Sequence, residues 1–343
     1  MLNALALTSG RPRDQIDVEF RIAAAGEATA AAASEMLIEV ESVIRLVQQA
    51  PIAHNAKPVV VEPLKALLGA LPPVSAAAVR AWHHLRTTLP VAVTKVDRTP
   101  VLLPMMPEPQ VAAWSVILEF EDDLNCHWSL IGGQMVAFTC AEYGYPVHRS
   151  TDDGDIVLGV WLDRGAFREA SRLLNERGFN EDKTSDGYGY RYRRDLATID
   201  LLLPEETHRQ QQKPTTASGR PGLEVPGGNQ ALIRSERVPV QLGERVGFVR
   251  RPNLLGALVA KAAAAQTDGR DPDRHREDIA ILGQIALNTG AYRSMRLGGN
   301  GKDRRRLRRA LEHMPDTHAA WRQIPEPHEV RMALHRLAAP PAN

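Results

Sequence analysis

The chain has 343 residues, 43% of them hydrophobic and 24% charged, with 42 Lys and Arg against 41 Asp and Glu for a formal net charge of +1. That length and apolar content support two domains with a full core, and near-neutrality excludes a uniformly basic, histone-like nucleic-acid binder, so only local charge is informative. Two cysteines, Cys126 and Cys140, without metal-site spacing argue against a disulfide framework or structural zinc, and no apolar stretch approaches the roughly 20 residues that cross a bilayer. A cytoplasmic protein, neither secreted nor membrane-inserted, is expected.

The first 105 residues read as an α/β region of unassigned role. Ile16, Val18, Phe20 and Ile22 alternate as on a half-buried strand. Met36, Val40, Val43 and Val47 form one stripe of a long helix over residues 27–49, and further helices are expected over 63–71 and from Pro73 through Leu85. His83 and His84, adjacent on the last of these, face different directions and read as non-catalytic. Pro100, Pro104, Pro107 and Pro109 mark a boundary near residue 106. Beyond it, residues 111–124 suit a helix with Val111, Trp114 and Leu118 inward and Glu119, Glu121, Asp122 and Asp123 in water, although Trp114 to Phe120 is apolar enough for a strand.

The most informative stretch is residues 128–160. Trp128 to Ile131 predicts a buried strand, Gly132 and Gly133 permit a sharp turn, and Met135 to Tyr143 predicts a helix. Strand, glycine turn and helix can cradle phosphate with backbone N–H groups. Arg149, Thr151, Asp153 and Asp155 then occupy alternate positions leading into Ile156, Val157 and Leu158, so period two points them to one sheet face. Two carboxylates so placed can share a divalent metal, and phosphate cradle plus metal is what phosphoryl chemistry requires.

Downstream, a strand over 157–162 and a helix over 165–177 are expected, with Phe167, Ala170, Leu173 and Leu174 inward and Gly178 as its terminator. Tyr188, Tyr190 and Tyr192 alternate as in a strand, and Ala197 to Leu203 reads as another. Asp200 lies inside that apolar strand, where an ionised carboxylate is costly without a compensating cation. Residues 208–229 read as a loop or linker, and Val238–Leu242 with Val246–Val249 as a hairpin around Gly243. Helices follow over 254–265 and from Arg274 to Leu282, the first carrying Lys261 and the second Asp278. Lys302 to Arg309 packs six basic residues on a further helix, a solvated face or an RNA-backbone contact, and His313, His318, His328 and His335 lack the spacing of a shared metal site.

The paired glycines, the helix and the Arg-x-Thr-x-Asp-x-Asp run resemble the nucleotidyltransferase core of the polymerase-β-like superfamily, over roughly residues 110–290. The nearest resemblance is to bacterial AbiE-type toxin nucleotidyltransferases, including the MenT-like toxins. It implies magnesium on Asp153, Asp155 and Asp200, with Asp200 helping to deprotonate an acceptor hydroxyl. It also implies a nucleoside triphosphate held by Gly132, Gly133, Arg149, Thr151 and Lys261, the pocket being completed by Asp278. Gly154 departs from the pattern, standing where the superfamily usually has an apolar residue. The fold expected is a mixed α/β (α+β) nucleotidyltransferase-like core over 106–252 with a helical part over 253–343. The activity expected is nucleoside monophosphate transfer to a hydroxyl, with the tRNA 3′ end as acceptor and an antitoxin protein as partner by analogy. A small-molecule acceptor such as an aminoglycoside, and a non-catalytic binding protein of the same fold, remain alternatives.

Overall fold

The computed structural model describes residues 93–340 apart from 125, 148, 150, 161–162, 183, 206 and 208–212. The elements expected before residue 93, with His83 and His84, lie outside the described residues. Residues 94–159 and 165–340 belong to one compact unit.

The described residues form a mixed α/β structure built on two sheets. Short strands β1 (Thr94–Lys95) and β2 (Val101–Leu102) lead to helix α1 (Glu108–Asp123), strand β3 (Trp128–Ile131), helix α2 (Gly132–Glu142) and strand β4 (Asp153–Leu158). Helix α3 (Ala166–Glu176), strands β5 (Asn180–Glu181), β6 (Arg191–Arg194), β7 (Ala197–Pro204) and β8 (Leu223–Val225), and helix α4 (Gly228–Ile233) follow. The hairpin β9 (Ser235–Leu242) and β10 (Arg245–Pro252) precedes helices α5 (Leu254–Thr267), α6 (Pro272–Asn288), α7 (Tyr292–Gly298), α8 (Gly301–Glu312) and α9 (Pro327–Ala338).

The larger sheet runs β3-β4-β7-β6-β5, with β4 parallel to β7 and antiparallel to β3. In this register Asp155 lies opposite Asp200 on β7, and Ile131, the residue before the glycine pair, lies opposite Asp155 on β3. Strand β6 covers β7 only from Ala197 to Asp200, and β8 takes over at Leu202, so the residues 208–229 expected as a loop include a strand. The physical reason is the open edge that β7 would otherwise present beyond Asp200. The smaller sheet holds β1, β2, β9 and β10, the last two paired antiparallel around Gly243.

Residues 108–123 form a helix, as their 3.6-residue spacing predicts, and Trp114, Ile117, Leu118 and Phe120 are buried beneath the sheet. Each such side chain contributes roughly 1.5–3 kcal/mol. Trp114 also stacks on Phe138 of α2 with ring centroids 5.5 Å apart. Two expectations for this helix are corrected. Val111, in the first turn, precedes the inward stripe and is exposed, whereas Glu121 is buried because Arg237 and Arg250 of the β9-β10 hairpin close on its carboxylate. The strand expected over 157–162 ends at Leu158: Gly159 makes one more bond to the His127 carbonyl, at 2.7 Å, and the chain turns at Val160. Of the three alternating tyrosines only Tyr192 lies in a strand.

Helix α5 is buried almost all round, packed between α6 and α8, so apolar residues occupy every face rather than one stripe. Among the described residues no helix is long and apolar enough to cross a membrane.

Candidate active site

Three carboxylates converge at the start of the parallel β4-β7 pair. Asp153 and Asp155 share a face of β4 through period two, and the register sets Asp200 beside them, so that one oxygen from each lies within 4.8 Å of the others. Asp200 is buried, and Asp153 and Asp155 are half-buried. Oxygen-only donors at this spacing suit a hard divalent cation. The charge balance agrees: burial, then the charges of Asp153 and Asp200, push the Asp155 carboxyl up to about 8 despite Lys261 and Arg191 nearby. Burial likewise raises Asp200 above its ordinary value. The cluster is short of positive charge.

Among the described residues its one directly bonded cation is Arg191 of β6, which donates from Nε and an Nη to the two oxygens of Asp200 at 2.8 and 2.7 Å and reaches Asp153 at 3.3 Å. Asp200 in turn raises the Arg191 guanidinium above its usual value. Arg191 is absent from the sequence-based site. The signal was the hairpin turn at Asp195 and Leu196, where Asp195 takes φ 51°: with Arg194 facing Ala197, antiparallel counting brings Arg191 opposite Asp200.

The glycine pair lies against the carboxylates. Gly132 has φ +69°, and a Cβ there would sit 1.7 Å from Asp155 Oδ2. A Cβ on Gly133 would lie 2.6 Å from Thr151 Cγ2. The turn therefore uses both the torsion and the missing side chains, bringing the start of α2 onto the residues around β4. Helix α2 begins at Gly132 itself, and its first turn has neither a side-chain cap nor an acidic residue. Such a terminus leaves N–H groups oriented for an anion.

Thr151 donates through Oγ1 to Asp153 Oδ1 at 2.7 Å. Its backbone carbonyl accepts from Gln134 Nε2 at 2.5 Å, and Gln134 Oε1 accepts from Trp114 Nε1 at 2.8 Å. This buried relay fixes Thr151, and Gln134, next to the glycines, is a second residue that sequence reasoning missed.

A cationic group completes the site. Asp278, on α6 and fully buried, accepts a forked pair of bonds from Arg149 at 3.3 and 3.0 Å and one from Lys261 of α5 at 2.6 Å. Lys261 is only 3% exposed, so without Asp278 its ammonium would be an uncompensated buried charge. Burial works against the Arg149 charge, but the Asp278 hydrogen bonds and charge outweigh it and raise the guanidinium further. Asp278 is engaged by these two cations and is not one of the three clustered carboxylates. Gly154, the departure from the superfamily pattern, is also accounted for: a Cβ there would meet Ile199 at 3.0 Å and Ile117 at 3.1 Å, where α1 packs on the sheet. No histidine joins a metal-ligating cluster among the described residues.

No family model matches this sequence, and no curated protein matches it. A solved structure similar to this chain is the crystal structure of an antigenic nucleotidyltransferase-like protein from Paracoccidioides brasiliensis, at 16% identity and a TM-score of 0.38, covering 63% of this chain and 93% of that one.

Proposed function

We propose that this site transfers a nucleoside monophosphate from a nucleoside triphosphate to an acceptor hydroxyl, with Mg²⁺ held by Asp153, Asp155 and Asp200. The observation that carries the reading is the juxtaposition of three under-neutralised carboxylates with an uncapped helix start across a paired-glycine turn. When bound, the divalent cation supplies Lewis-acid neutralisation of charge at the reacting phosphorus.

The chain's own residues account for the rest. The N–H groups of Gly133 and Gln134 at the start of α2 hold phosphate oxygens. Arg149 and Lys261, pre-positioned by Asp278, neutralise the polyphosphate without reorganising, Arg149 as a planar fork and Lys261 as a point charge. Thr151 orients the Asp153 carboxylate through its hydroxyl. The acceptor oxygen forms a bond to the α-phosphorus, the bond from that phosphorus to the bridging oxygen breaks, and pyrophosphate leaves. The acceptor proton passes to an oxygen of Asp200, which requires Arg191 to give up one of its two bonds there.

The acceptor we propose, following the AbiE-type resemblance, is the tRNA 3′ end. The test is mass spectrometry of tRNA and of total RNA after incubation with each nucleoside triphosphate and magnesium. The reading predicts a mass gain of one or more nucleotides that disappears in Asp153→Asn. A wild-type protein that releases no pyrophosphate and modifies neither RNA nor an aminoglycoside would replace it with the binding-protein alternative.

A further inference from the structure

The chain is nearly neutral, yet from Arg293 to Arg309 it carries eight basic residues and one acidic residue. That acid, Asp303, faces inward and pairs with the buried Arg234 at 2.7 Å, while its side chain also closes the capping box of α8 with Asn300. Asp303 thus neutralises Arg234 rather than the arginines at the surface. Arg305, Arg308 and Arg309 are exposed, fall on one side of α8 by their spacing of three and four, and have no carboxylate partner among the described residues. Leu307 points the other way, into the core.

The same face borders a cavity of about 220 Å³ at the junction of α5, α6 and α8, whose lining includes Asp268 as well as Arg276, Arg309 and His313. Arg276 bonds Asp273 through one terminal nitrogen, but its Nε is buried with no acceptor. With Asp268 in the lining and Asp273 on Arg276, this end of the surface is charge-balanced, and the excess positive charge lies on the exposed arginines of α8. The helix is fixed to the elements that carry the carboxylate site: Arg306 pairs with Glu205, just past the end of β7, at 2.7 Å, and its carbonyl accepts from Gln266 of α5 at 3.0 Å.

We infer that the exposed face of α8 forms a binding surface for the phosphodiester backbone of a single-stranded nucleic acid, with Arg305, Arg308 and Arg309 on successive phosphates. Charge complementarity selects the occupant. Among the described residues of α8, Gly301–Glu312, no large hydrophobic side chain is exposed, so that face lacks the apolar anchor of a membrane-surface helix and the apolar centre of a protein interface. It also lacks aromatic side chains on α8 for base stacking, so binding is insensitive to sequence and sensitive to salt. This inference stands whether or not the carboxylate site transfers nucleotides.

The test uses the full chain and two fluorescein-labelled 20-nucleotide probes of one mixed sequence, RNA and DNA, followed by anisotropy across salt concentrations. The wild type binds at least one probe, with affinity falling steeply as salt rises. The triple variant Arg305→Ala, Arg308→Ala, Arg309→Ala weakens binding more than tenfold and makes the logarithmic salt slope shallower by about 2, since each single-strand phosphate contact contributes about 0.7. A control with the same charge change elsewhere, Arg172→Ala, Arg193→Ala, Arg322→Ala, shifts affinity less than threefold. The inference is overturned if the wild type binds neither probe, if both triple variants weaken binding equally, or if polyglutamate competes as well as nucleic acid of equal charge. Circular dichroism and melting temperature show that the variants are folded; should the triple variant unfold, single Arg305→Gln and Arg308→Gln changes, each predicted to remove about 0.7 of slope, decide the matter.

Discussion

Two ionic clusters in this unit use the same residue types to opposite ends. Around Glu142, Arg98 and Arg251 both bond its carboxylate, and Arg251 also bonds Glu236 at 2.6 Å, so two arginines meet two carboxylates. At the head of β4 and β7, three carboxylates meet one directly bonded arginine among the described residues. The first cluster is balanced and ties α2 to the β9-β10 hairpin; the second is short of cations, and burial together with the charges of Asp153 and Asp200 pushes its Asp155 carboxyl up to about 8. Buried ions that neutralise one another serve as a joint, whereas a surplus of one sign costs stability and is retained where a ligand of the other sign is to be bound.

The comparison can be broken most forcefully at Arg251. Arg251→Ala leaves Glu142 and Glu236 without it, and urea unfolding is expected to show a loss of about 3–5 kcal/mol that no divalent cation restores. The mirror experiment, Asp153→Asn or Asp200→Asn, removes surplus charge: unfolding free energy stays level or rises, while nucleotide transfer falls on the order of 100-fold or more, about 3 kcal/mol in activation terms. An Asp200→Asn protein that loses stability like Arg251→Ala would place both clusters in the structural class.

Gly132→Ala sharpens the contrast without changing any charge. The positive φ alone costs roughly 1–2 kcal/mol, and the new methyl displaces Asp155, so cation affinity drops about tenfold or more in a calorimetric titration. Arg149→Lys keeps the charge but loses the fork on Asp278, and about a tenfold rise in KM for the triphosphate is expected with little change in melting temperature.

The smallest effect is in pH. A raised carboxyl pKa means that the folded state holds its proton more tightly, so the stability linked to Asp155 is present below the ordinary carboxylate range and is lost as pH rises towards about 8. His127 and His275, each lowered by burial to about 4, act in the opposite sense between about 4 and 6.5. The clean window is therefore about pH 6.5–8, where melting temperature without divalent cation should fall by about 2–4 °C and Asp155→Asn should lessen that fall.

Much of this contrast was legible in the sequence. Period two put Asp153 and Asp155 on one face, and an acid inside the apolar run Ala197–Leu203 marked Asp200. Lys261 and Asp278 came only from resemblance, because two helix residues 17 positions apart carry no local sign that they will meet. Arg191 was hidden because an arginine among alternating tyrosines looks like the solvent side of a strand, and only hairpin register turns it towards the acids. Glu121 was misread for a related reason: helical periodicity places it after the apolar stripe, but its partners arrive from a hairpin more than a hundred residues later. Strand β8 was missed because it is only Leu223–Val225, too short for its alternation to stand out, and it patches the part of β7 that β6 leaves open.

The central claim, that the three carboxylates hold a divalent cation, is tested most directly by titrating Mn²⁺ into the full-length protein and following the electron paramagnetic resonance signal of the free ion at pH 8. The account predicts at least one bound ion in the wild type and in Arg251→Met, displaced by excess Mg²⁺ and lost in the double variant Asp153→Asn, Asp200→Asn. Equal binding by the wild type and that double variant, or no binding by the wild type, would contradict it.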